Sequence, residues 1–66
     1  LSTILKREIK ELSQYPTMTD SDVSYPYYRL TFKSKVGKFI VTFKYDLVKD
    51  EVTIIKKEEI KVQPNP

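Results

Sequence analysis

Residues 27–46 run Tyr-Tyr-Arg-Leu-Thr-Phe-Lys-Ser-Lys-Val-Gly-Lys-Phe-Ile-Val-Thr-Phe-Lys-Tyr-Asp, with large apolar side chains on alternate positions either side of a polar centre. Tyr28, Leu30 and Phe32 alternate with Tyr27, Arg29, Thr31, Lys33 and Lys35, and Phe39, Val41, Phe43 and Tyr45 alternate with Ile40, Thr42 and Lys44. A two-residue period places each apolar set on one face of a strand. The centre holds Gly37, the only glycine of the chain and the residue best able to take a positive φ. The stretch therefore predicts an antiparallel hairpin: a strand over Tyr27–Lys35, a reversal at Lys35–Lys38, and an aromatic-rich central strand over Lys38–Asp46. Setting Phe32 opposite Val41 keeps inward residues facing inward residues.

Downstream, Asp46–Asp50 is a polar reversal. Val52 and Ile54 then point inward and Thr53 and Ile55 outward in a third strand, with Phe43 opposite Ile54. Ile60 and Val62 keep the parity of Val52, so one long or bulged strand is expected to reach about Val62. Residues 63–66 look like a tail or linker. Upstream, Leu1, Ile4, Leu5, Ile9 and Leu12 recur at helical spacing among charged residues, which predicts one amphipathic helix over Leu1–Gln14, ended by Pro16. Residues 15–26 carry Pro, Thr, Asp and Ser without sustained period and read as a loop. The expected fold is α+β, a single domain over residues 1–62 with the helix packed on one face of a three-stranded antiparallel meander. One helix shields one face, so the opposite face is left to water or a partner.

The chain has 66 residues, near the lower limit for an unassisted core. It contains no Cys and no His, which removes disulfides, thiolate or imidazole metal sites, and Cys/His nucleophile pairs. The lack of cysteine suits either redox compartment. Twelve basic and nine acidic residues give a net charge of +3, a bias that permits anionic partners without requiring them. No apolar run approaches the ~20 residues of a membrane span, so the chain is expected to be soluble. It begins at Leu1 rather than Met, as a processed precursor or an excised piece would.

No motif fixes a chemistry. The carboxylates Asp20, Asp22, Asp46, Asp50, Glu51, Glu58 and Glu59 read as solvated acids at loops and strand ends. Asp20-Ser21-Asp22 lacks the glycine and distal Glu of a calcium loop, and Gly37 alone builds no phosphate cradle. No catalysis, cofactor, metal or small-molecule substrate is expected. Two binding surfaces remain. For a protein partner or a second copy, the outward residues Tyr27, Ile40 and Ile55 join Tyr15, Met18, Val23 and Tyr25 of the 15–26 segment, whose tyrosines either make contacts or close the end of the core. For nucleic acid, Arg29, Lys33, Lys35, Lys38, Lys44 and Lys57 form a basic stripe across the strands, with Tyr27 as the one outward aromatic placed for base stacking.

The order helix, strand, glycine-containing hairpin, strand, polar turn, strand resembles the central part of the cystatin-like fold, with Lys35-Val36-Gly37 in the place of its hairpin. That resemblance implies a protease-inhibitor-like module, although the family's leading glutamine, Pro-Trp loop and N-terminal glycine segment are absent. Arg29-Leu30, Gly37 and Phe39–Tyr45 also resemble strands of bacterial ribosome-dependent mRNA-cleaving toxins. The catalytic basic and aromatic residues of those toxins have no counterpart over Lys57–Pro66, so no activity carries over. The first expectation is a non-catalytic interaction domain; a small basic nucleic-acid-binding domain is the second, and an inhibitor-like module the third.

Overall fold

The computed structural model describes residues 1–62; the expected tail over residues 63–66 lies outside the described residues. A short helix α1 (Ser2–Glu8) is followed by a single 3-10 turn (Lys10–Ser13), then by β1 (Thr17–Ser24), β2 (Tyr27–Ser34), β3 (Gly37–Asp46) and β4 (Glu51–Lys61). All neighbouring strands are antiparallel, in the order β1-β2-β3-β4. The class is α+β as the patterning indicates, but the sheet has four strands rather than three. The added strand is β1, formed by residues expected to be a loop.

The physical reason β1 escapes the alternation rule lies in its pairing. Met18 stands opposite Phe32, yet Asp20 stands opposite Thr31, so Thr19 is an extra residue in the ladder. This bulge shifts parity, and Met18, Ser21 and Val23 come to the inner face while Asp20, Asp22 and Ser24 face outward. Every residue of β1 is exposed, so its sequence carries none of the apolar periodicity that burial imposes elsewhere. The ladder to β2 holds it instead.

The hairpin between β2 and β3 is tighter than expected. Ser34 pairs with Gly37 across the two turn residues Lys35 and Val36, which sets Phe32 opposite Phe39 and Leu30 opposite Val41. The expected Phe32–Val41 pair is thus displaced by two residues, a slip that preserves the face. Gly37 takes φ +147°, and a Cβ there would collide with the Ile60 carbonyl oxygen. The close approach lets the end of β4 reach the turn, where the Val62 N–H donates to the Val36 carbonyl at 2.8 Å.

The third expected strand is bulged. Phe43 pairs with Ile54 as expected, while Thr42 pairs with Lys56, leaving Ile55 as the extra residue. Beyond it the parity inverts: Lys57 and Glu59 turn to the inner face, and Ile60, expected inward, faces out and is 50% exposed. The reversal before β4 is held by polar groups. Asp50 takes φ +54°, the Asp46 carboxylate accepts from the Lys49 N–H at 3.0 Å, and the Tyr45 hydroxyl donates to Asp50 at 2.5 Å.

The core is one row of β3, Phe39, Val41, Phe43 and Tyr45, packed with Leu30 of β2 and with Leu5, Ile9 and Tyr15 of the N-terminal segment. Fully burying side chains of this size stabilises by ~1.5–3 kcal/mol each, which dominates in so small a domain. Tyr28 stacks on Phe43 at 5.1 Å between ring centres and meets Tyr45 edge-on at 6.1 Å. The helix expected over Leu1–Gln14 is broken at Ile9, whose backbone is extended (φ −121°, ψ 96°) and whose side chain is fully buried. No side chain caps α1, and a seven-residue helix has little stability of its own, so packing decides where it stops.

Two outcomes check this fold. Gly37→Ala combines an unfavourable φ with a backbone collision and is expected to destabilise by about 2 kcal/mol or more in urea unfolding; unchanged stability would contradict the close approach. The hydrogen bond to Asp50, aided by burial, pushes the Tyr45 phenol from its ordinary 10.0 up to about 12. Because the raised value belongs to the folded state, the stabilisation from this pair is complete below pH 10 and is lost as pH rises through about 12. Asp50→Asn should bring phenolate formation at Tyr45, followed by near-ultraviolet absorbance against Tyr45→Phe, to lower pH.

Candidate interaction surface

The N-terminal segment is anchored at one flank of the inner face. Tyr15, fully buried, stacks on Phe39 with ring centres 5.8 Å apart and donates its hydroxyl to Glu59 of β4 at 2.8 Å. That hydrogen bond, with burial and the Glu59 charge, raises the Tyr15 phenol above its usual range. One turn earlier, Glu11 meets the Lys57 ammonium at 3.2 Å. A hydrogen bond from its own backbone N–H lowers the Glu11 carboxyl, and Lys57 adds to the effect. These contacts explain why the inverted parity of β4 is tolerated: both inward-turned charges find partners on the N-terminal segment. Tyr15, expected among the contact residues, is a core anchor.

Both anchors lie toward β4, and the inner face over β1 and β2 stays open. There the chain leaves a groove of about 450 Å³ whose accessible lining is almost wholly apolar. Leu1, Leu5 and Leu12 form one wall, Met18 and Val23 of β1 the other, and Tyr28, Leu30 and Phe32 the floor. The wall residues Leu1, Met18 and Val23 are 42%, 54% and 55% exposed. A helix that shields one face was expected to leave only the opposite face open; here it shields half of its own. Met18 and Val23, which the sequence offers as contact groups of the 15–26 segment, both line this groove, whereas Leu1 reads there only as part of the helix stripe, because the groove depends on where the N-terminal segment lies across the sheet.

The outward face differs from the expected patch and stripe. Its cross-strand rows are Thr17-Lys33-Lys38-Ile60, Asp20-Thr31-Ile40-Glu58, Asp22-Arg29-Thr42-Lys56 and Ser24-Tyr27-Lys44-Thr53, closed by Asp46-Glu51. Ile40 sits between Thr31 and Glu58, Tyr27 pairs with Lys44 at the far end, and Ile55 belongs to the bulge, so the three do not adjoin. The basic residues Arg29, Lys33, Lys38, Lys44 and Lys56 share the face with as many acids, Asp20, Asp22, Asp46, Glu51 and Glu58. Lys57 is absent from this face because of the bulge, and Lys35 sits in the turn.

What remains of the stripe is a cluster at the β2–β3 end. Lys33 and Lys38 stand directly opposite one another, a like-charge pair that opposes folding. Lys35 and Lys61 lie at the same end, and none of the four forms an ion pair among the described residues. The hairpin tip, the inhibitor-like element of the sequence reading, is two residues long and tied to Val62 through the Val36 carbonyl. Tyr25 stands at the β1–β2 reversal, 57% exposed, and its hydroxyl accepts from the Leu47 N–H at 3.2 Å.

Among the described residues no helix is long and apolar enough to cross a membrane, and no group of three or more Asp and Glu is placed to hold a metal ion. Comparison with protein-family models, with curated proteins and with solved structures finds no match.

Proposed function

We propose that the chain is a non-catalytic protein-interaction domain whose contact surface is β1 together with the apolar groove beside it. The observation that carries this reading is the exposure of Leu1, Met18 and Val23 around a floor of Tyr28, Leu30 and Phe32. Scattered apolar residues are ordinary on a surface, but a contiguous concave set marks a site of association. The outward face, with Ile40 and Ile55 separated by charged neighbours, offers no such continuity. A photo-reactive side chain introduced at Val23 and expressed in the source cells is expected to give discrete protein adducts, which Met18→Lys abolishes while the fold persists by circular dichroism. Adducts from Ile40 alone, or from neither position, would remove the reading.

A second reading is favoured by the lysine cluster at the β2–β3 end. Retaining Lys33 opposite Lys38 has a stability cost, which a polyanion bound there would offset. If the domain binds nucleic acid through this cluster, anisotropy of labelled single- or double-stranded oligonucleotides should rise at low salt, fall steeply with added salt, and be lost in Lys33→Glu/Lys38→Glu. A flat response at low salt eliminates this reading.

A further inference from the structure

We infer that the free edge of β1 takes up a partner's extended segment as a fifth strand, and that this segment alternates apolar with basic residues. The inference rests on the interaction reading above and specifies its partner. The sheet has two edges, β1 and β4. The β4 edge is guarded in the usual ways: it is broken by the Ile55 bulge, it carries Lys56, Lys57 and Lys61, and it turns the charges of Lys57 and Glu59 inward. Past its own bulge, β1 pairs with β2 in an unbroken register over Asp20–Ser24 and has no lysine, no proline and no inward charge.

Alternation along this stretch dictates the chemistry of an added strand. Ser21 and Val23 face the groove, so the neighbouring inward positions of an incoming strand meet Met18, Val23 and the apolar floor. Asp20 and Asp22 face outward, and among the described residues neither forms an ion pair, although Arg29 stands across the ladder from Asp22. Among the described residues the Asp20 carboxylate accepts only the neighbouring Ser21 N–H, at 2.9 Å. An incoming strand therefore gains by placing Lys or Arg on its outward positions. A second copy of β1 fits poorly, because the antiparallel register that uses all of Asp20–Ser24 sets Asp22 against its own copy. Main-chain hydrogen bonds supply affinity in such strand addition, and the alternating side chains supply specificity.

The test uses synthetic peptides of about seven residues, the usual strand length, alternating Val with Lys, and the same peptide with Glu for each Lys. Calorimetry should show the Lys peptide binding on the order of tenfold more tightly than the Glu peptide, the effect of two cross-strand charge pairs changing from attraction to repulsion. The amides of Asp20–Ser24 should gain protection from hydrogen exchange, and Asp20→Asn/Asp22→Asn should remove the charge preference while leaving the fold intact. Equal binding of both peptides, protection along β4 instead of β1, or no binding of either peptide would overturn the inference. Should adducts at Val23 persist in any of those cases, the interaction reading stands without its strand-addition partner; loss of both results removes both.

Discussion

The removal of Phe39, Val41, Phe43 and Tyr45 from water along one face of β3 is the constraint on which the rest of the structure depends. Three further elements are positioned by that row. β2 sets Leu30 beside Val41 and Tyr28 over Phe43. The N-terminal segment lays Tyr15 on Phe39 and buries Ile9, breaking its own helix to do so. β4 adds Val52 and Ile54 at one end and approaches Gly37 at the other. In a chain without disulfide or histidine, this row is the main source of cohesion.

The hairpin was legible in the sequence because burial of one face forces alternation, and residues 27–33 and 38–46 each alternate without interruption on either side of the turn. The class, the central place of β3 and the pairing of Phe43 with Ile54 follow from it. Beyond the helix break at Ile9 and the tighter hairpin, what was not legible in the sheet traces to two bulges. The extra Thr19 hides β1 by moving Met18 and Val23 onto one face at odd spacing, and the extra Ile55 sends Lys57 and Glu59 inward and turns Ile60, expected inward, to the outer face. A bulge adds one residue to one strand and leaves no compositional mark, so parity counted across it fails. The charges it turned inward are matched in space, by Glu11 and by the Tyr15 hydroxyl, over separations of 46 and 44 residues that no local reading spans.

The candidate contact surface depends on the same geometry. Anchoring at Glu59 and Lys57 draws the N-terminal segment toward β4, and a segment of one short helix and one turn is too narrow to cover β1 as well. The open groove is thus a consequence of how the core is completed at the other flank. The edge strand that borders it is the least buried of the four, and it is held through its ladder to β2 rather than by side-chain packing.

Stability should follow burial across the sheet. The direct measurement is native-state hydrogen exchange of the isolated domain in increasing denaturant. Amides of Phe39–Tyr45 are expected to exchange only through global unfolding, and those of Asp20–Ser24 through local opening at markedly lower free energy. Protection of Asp20–Ser24 equal to that of β3 would contradict an open β1 edge and an uncovered groove beside it.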